Sequence, residues 1–251
     1  MTSPSPPLPR FYDAGEAALV VEFGTTVDPA INGWVLALDE KLSALPITGI
    51  RELVPTYRSL MVHYDPLILS RQALQVAILE IVSAFEKAER PISGKRWLLP
   101  CCYEQSFGED VDEVAEVTRL SRNQVALVHS ATEYRIYMYG FAPAYCYLGG
   151  LAKSLQIPRR EKPRPPHATG AVMIGGGLAS IASFAMPTGW YVLGRTPIKL
   201  YDPSRADPFL LRPGDSVRFK PVGPDEFMEF EGRIASGEIN FGEIEDIEEK
   251  R

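Results

Sequence analysis

The sequence predicts an α+β protein in two parts: a small N-terminal α/β domain, then a barrel of short strands. Three observations carry this. Up to Pro91 the apolar residues recur at helical spacing between a few strand-like runs. Beyond "PISGK" the texture changes to short alternating runs punctuated by Gly, Pro and Asp, the pattern of a closed or nearly closed barrel. With 251 residues, 45% hydrophobic and 23% charged, the chain is long enough for one large core or two modest ones.

Taken in order, residues 1–10, "MTSPSPPLPR", hold four prolines and no apolar run, and read as a disordered leader and not a secretory signal. The first domain spans 11–92. In it "ALVVEFG" (18–24) is a strand ended by glycine, and "PAINGWVLALDEKLSAL" (29–45) an amphipathic helix. "GIRELVPTYRSLMVHYD" supplies two strands, and a second helix starts after Ser70, a natural N-cap. A hinge is expected near 91–95.

The second domain covers 95–225. "RWLLPCCYE" reads as a strand, "DVDEVAEVTRL" and "SRNQVALVHSAT" as short helices, the latter capped by Ser121, and "YRIYMYGF" as a strand. Short strands are then expected in "AVMIGGG", "IASFAMP", "GWYVLGRTP", "LYDPS" and "LLRPGDSVRFKPV". Residues 226–251 are acidic with no strong apolar period and read as a solvated tail.

Charge and motifs then narrow the function classes. Twenty-six Lys and Arg against thirty-two Asp and Glu give a net charge of −6, which argues against a nucleic-acid or anionic-membrane binder. No run approaches the eighteen apolar residues of a membrane-spanning helix. There is no Walker loop and no G-x-S-x-G elbow, and "GGG" at 175–177 reads as a tight turn rather than a dinucleotide fingerprint. Three histidines without paired spacing predict no protein-built metal site. Cys101, Cys102 and Cys146 are odd in number, the adjacent pair reads as buried strand residues, and a reducing cytoplasm is the expected home.

The densest chemistry lies in "GFAPAYCYLGG" (140–150) and the proline-rich "IPRREKPRPPH" that follows. Arg159, Arg160 and Arg164 are stiffened by flanking prolines, and a stiff guanidinium loop suits a carboxylate, carbamate or phosphate. The other reading is pairing with the protein's own acids. Arg195 in "GRTP" carries the same two readings. His129 is the candidate general base, since its ordinary pKa lies near neutrality, or else a hydrogen-bonded structural histidine at a helix end. Tyr134, Phe141, Tyr145 and Tyr147 either line a ligand slot or pack in the core.

These residues resemble a known family. "HSATEY" (129–134), Gly140, Phe141, Pro143, Tyr147 and Leu148, then Pro158, Arg159, Arg160, Pro163 and Arg164, are similar to the family containing the B component of 5-oxoprolinase, the sporulation-kinase inhibitor KipI and allophanate hydrolase subunit 1, which is the carboxyltransferase domain, subdomains C and D. "GEAALVVEFG" and "VPTYRSLMVHYDP" extend the likeness to the N-terminal domain. The chain departs where Ala144 replaces a glycine, and where Leu178 and Ala179 replace a glutamine and a threonine, removing two hydrogen-bonding side chains.

The resemblance implies a cyclophilin-like β-barrel after the small α/β domain. Taken with the residue readings above, the expected substrate site draws on Arg159, Arg160, Arg164, Arg195, Tyr134, Phe141, Pro143 and Tyr147, with His129 as the candidate base. The resemblance also implies ATP, a homologous second subunit like the C component of 5-oxoprolinase or allophanate hydrolase subunit 2, a third lactam-utilisation protein, and a small-molecule substrate. The expected activity is the ATP-dependent opening of 5-oxoproline to glutamate. Carboxyl transfer to a urea-like amide, or inhibition of a sensor kinase by the barrel surface, are the alternatives; no biotin attachment site occurs in the chain.

Overall fold

In a computed structural model, residues 7–85, 94–140 and 142–238 are described, and the chain divides into two units, 1–93 and 94–251. The first holds strands β1 (Arg10–Asp13), β2 (Ala18–Glu22), β3 (Ile50–Pro55) and β4 (Ser59–Tyr64), in the order β1-β2-β4-β3, all antiparallel. Period-2 alternation turns Leu19, Val21, Leu60, Val62 and Tyr64 to one face. There they meet Trp34, Val35, Leu38 and Leu42 of helix α1 (Pro29–Ala44) and Leu74, Ile78 and Val82 of helix α2 (Arg71–Ala84).

Both helices start where their side chains satisfy the first backbone donors. The Asp28 carboxylate accepts from the N–H groups of Ala30 and Ile31 at 2.8 and 3.1 Å, with Pro29 at the first helical position. Ser70 accepts from Ala73 N–H at 3.2 Å. Strand β1 was not anticipated. It begins at Arg10, inside the expected leader; four residues, of which only Phe11 is half-buried, give too short a pattern to read, whereas pairing to β2 satisfies their backbone.

The second unit is a seven-stranded, nearly closed barrel, and the expected α+β class holds. Its strands are β5 (Arg96–Cys101), β6 (Tyr134–Tyr139), β7 (Cys146–Gly149), β8 (Ala171–Gly175), β9 (Leu178–Ile181), β10 (Tyr191–Arg195) and β11 (Ser216–Pro221), in the order β10-β8-β9-β7-β6-β11-β5. Only the β11–β5 pair is parallel. The two edges meet in one bridge: Cys102 N–H donates to Arg195 C=O at 2.9 Å, and Arg195 N–H to Cys102 C=O at 3.0 Å. Edge groups that would template aggregation are thereby partly covered.

Leu99, Ile136, Leu148, Val172, Ile174, Ile181, Leu193 and Val217 point inward, at least one from every strand. Helices α3 (Val111–Thr118) and α4 (Arg122–Ala131) lie between β5 and β6. Ser121 and Gln124 form a reciprocal capping box at the start of α4. Alternate residues of β8 make a second cluster on the other side of the sheet, where Ala171 and Met173 join Tyr145, Trp190 and Val192.

Several expectations need correction. The strand expected in "IASFAMP" is shifted: β9 ends at Ile181, because a Gly176–Gly177 turn, both residues at positive φ (62° and 79°), sets a tight β8–β9 hairpin that starts pairing at Leu178. "LYDPS" forms only a single bridge, Tyr201 to Phe209. The tail expected from 226 instead begins as helix α5 (Pro224–Ala235), held by fully buried Phe227, while 239–251 lie outside the described residues. All three cysteines are buried and free, and no helix among the described residues is long and apolar enough to cross a membrane.

Candidate functional site

A cleft of about 200 Å³ opens on the barrel beside β7 and β10. Tyr145, Tyr147, Arg159, Met186, Pro187, Thr188, Gly189 and Trp190 line it. Its first wall comes from the turn that joins β6 to β7. Tyr145 N–H donates to Ala142 C=O at 3.1 Å, with Pro143 second and Ala144 third at φ 54°, the residue pattern of a type II turn that normally takes glycine third. Gly140 is required beside it: a Cβ there would meet the Tyr147 ring at 2.6 Å and the Tyr145 ring at 2.8 Å. The two tyrosine rings can therefore swing over the strand end and stand 5.4 Å apart, with Tyr147 and Trp190 at 5.9 Å. Tyr145 also shares a hydrogen bond with Ser180 at 3.2 Å, and burial pushes its phenol pKa up, so it stays protonated.

The second wall is set by the arginine loop. Arg160 N–H donates to Gly189 C=O and Arg164 N–H to Thr188 C=O, each at 2.8 Å, so the loop runs alongside 188–189. Arg159 lies with its guanidinium 4.9 Å over the Trp190 ring, on the cleft wall. Among the described residues no carboxylate lies within ion-pair distance of it.

The neighbouring arginines differ. Arg160 pairs with Glu113 at 2.6 Å and Asp110 at 3.3 Å and stacks 4.8 Å over Tyr191. Arg164 pairs with Asp110 at 2.5 Å and with Glu109. Asp110, with its side chain only 8% exposed, also accepts from Val192 N–H at 2.7 Å. That carboxylate ties the start of α3, the edge of β10 and the arginine loop into one node. It was not anticipated from sequence; the one available signal was the acidic run "GEDVDEV" opening a helix.

The other expected site residues lie apart from the cleft. His129 is fully buried, its Nδ1 2.8 Å from the Tyr103 hydroxyl and its ring against Tyr134 and Phe219. Burial depresses its pKa to about 3. A neutral imidazole enclosed in the core does not reach a substrate at the cleft, so its geometry is that of a structural histidine. Tyr134 is also fully buried and donates to His129 C=O at 3.2 Å. Arg195 is sandwiched between the Phe107 and Phe227 rings at 4.9 and 4.7 Å, and reaches Glu231 at 3.6 Å, fastening α5. Pro143 is exposed in its turn, and Phe141 lies outside the described residues.

The altered 175–183 segment has a clear structural outcome. Leu178 packs against the cluster of Tyr145, Met173 and Trp190, and Ala179 is buried in the barrel core on the other face, so neither position lines the cleft. No group of His, Cys, Asp and Glu able to hold a metal occurs among the described residues.

A family model described as "Carboxyltransferase domain, subdomain C and D" matches residues 9–211. The chain is 32% identical over 227 residues to the B component of 5-oxoprolinase from Bacillus subtilis (strain 168), covering 85% of this chain and 92% of that one. Against the same component from Escherichia coli O157:H7 it is 35% identical over 214 residues, covering 84% and 95%. The crystal structure of TTHA0988 superposes with a TM-score of 0.73 at 35% identity over 82% of this chain; the chain spans 40% of that longer one. The K. lactis urea amidolyase, at 22% identity and a TM-score of 0.76 over 97% of this chain, shares the fold. The motifs, the barrel and these likenesses agree: the chain belongs to the carboxyltransferase-domain family, subdomains C and D.

Proposed function

We propose that this chain is one subunit of an ATP-dependent amide or lactam hydrolase, opening 5-oxoproline to glutamate together with a homologous second subunit. One observation carries the reading: among the described residues, the cleft provides groups that bind a ligand and lacks a carboxylate, histidine or cysteine to serve as base or nucleophile. Arg159, Trp190 and two tyrosines line it. A site of this kind needs its reactive groups from a partner, and the relatives that match over nearly their full length are named as subunits.

The chemistry gives the partner its task. An amide carbonyl is a poor electrophile, and transfer of a phosphoryl group to its oxygen makes it reactive towards water. Orienting the substrate is a large part of such a reaction, because holding reactants in place supplies several kcal/mol of the barrier.

The test is co-expression with the homologous second subunit and the lactam-utilisation protein, followed by size exclusion and an assay for ADP and glutamate. We expect one co-eluting assembly that forms both products in equal amounts, and only when 5-oxoproline is present. Separate elution at micromolar concentration, or no glutamate from the complete assembly, would overturn the reading.

A further inference from the structure

We infer that the cleft beside Arg159 is a subsite for a small, flat monocarboxylate, and that nucleotide is held elsewhere in the assembly. The identity of the acid rests on the subunit reading above; the chemistry of the site does not.

Charge at the two ends of the arginine loop is the first argument. Around Arg160 and Arg164 stand Glu109, Asp110 and Glu113, three carboxylates for two guanidinium groups, which leaves one net negative charge. Arg159 sits at the other end, on the cleft wall, with no ion-pair partner among the described residues. Its guanidinium, 4.9 Å over the Trp190 ring, carries several N–H donors, and a carboxylate can take two of them at once.

Shape is the second. The faces of Tyr145, Tyr147 and Trp190 suit a flat ring. Thr188 Oγ accepts from Trp190 N–H at 3.1 Å, which leaves its own O–H to donate to a ligand carbonyl. A five-membered ring carrying one carboxylate and one carbonyl matches that set.

Size and charge both suit a small acid better than a nucleotide. Pockets for drug-sized ligands run from about 300 to 1,000 Å³, and this cleft is about 200 Å³. A polyphosphate would bring several negative charges to one unpaired cation, with the acid-rich Arg160–Arg164 cluster further along the same loop. The nearby N-terminus of α3, the kind of backbone site that cradles phosphate, already carries Asp110, Asp112 and Glu113.

Calorimetric titration of the full chain, with intrinsic tryptophan fluorescence as a second signal, tests this with three probes: L-5-oxoproline, neutral 2-pyrrolidinone and Mg·ATP. Wild type should bind the acid, and Arg159→Gln should bind it at least tenfold more weakly with an unchanged melting temperature. The neutral lactam should bind both proteins alike, and Mg·ATP should not displace the acid. Failure of wild type to bind the acid, equal affinity in Arg159→Gln, or displacement by Mg·ATP would each overturn the inference. The two readings fail separately. An assembly that turns over 5-oxoproline with an unchanged KM in Arg159→Gln removes this subsite and keeps the subunit role. Acid bound at Arg159 with no turnover in any assembly does the reverse.

Discussion

Arg159 and Arg164 stand five residues apart in one proline-stiffened loop, yet they do different work. Arg164, with its side chain 18% exposed, is locked to Asp110 and Glu109 and holds the loop against α3 and β10. Arg159 is exposed, runs beside Gly175 and Gly176, and lies over an indole face at the cleft. The difference teaches that a run of arginines is sorted into scaffold and site by the acids the fold brings to it, here from about fifty residues upstream. Stiffening by proline serves both ends: it lowers the entropy lost in forming the ion pairs and holds Arg159 ready.

Breaking the scaffold end should give the largest effect. Asp110→Ala removes a nearly buried carboxylate from two guanidinium groups and from Val192 N–H, and should lower unfolding free energy by about 3 kcal/mol, read by urea denaturation. A loss under about 1 kcal/mol would show that the node does not hold the loop. Next comes the histidine that the cleft does not use. Above pH 6.5 His129 is neutral both folded and unfolded, so its contribution is constant. Below that the unfolded chain takes a proton that the buried ring refuses until about pH 3, so stability should fall with falling pH by up to about 1.4 kcal/mol per unit. His129→Leu should flatten that part of the slope between pH 6 and 4; an unchanged slope would place His129 in contact with solvent. The smallest effect is expected at the turn. Ala144→Gly relieves left-handed strain of about 1–2 kcal/mol but loses a buried methyl worth about 0.8 kcal/mol and adds chain entropy, so stability should change by less than about 1 kcal/mol. Acid binding should stay intact, and a large loss there would make the turn part of the site.

Much of the architecture was legible because it rests on local signals. Asp28, Ser70 and Ser121 mark helix starts, and the change of period near Pro91 marks the passage from helix-covered sheet to barrel. Strand β1 and helix α5 escaped, one for its brevity and the other because its only fully buried side chain is Phe227, too little for an apolar period. At the site, the tyrosines of 145–147 and Arg159 could be found from composition, and Trp190 could not, since its place beside Arg159 depends on the run of 158–164 along 188–189. The histidine was misleading for a physical reason. Its residue type suggests proton transfer, but burial, which the sequence states only through neighbouring apolar residues, decides against it.

The division of labour within the loop is tested most directly by urea unfolding of Arg159→Gln beside Arg164→Gln. Arg164→Gln takes from a carboxylate that is 8% exposed its shorter guanidinium contact, leaving it Arg160 at 3.3 Å and Val192 N–H, and should lose about 2 kcal/mol. Arg159→Gln gives up one cation–π contact and should stay within about 1 kcal/mol of wild type. Equal losses in the two variants would contradict the account, because both arginines would then be scaffold and the cleft would have no cation held for a ligand.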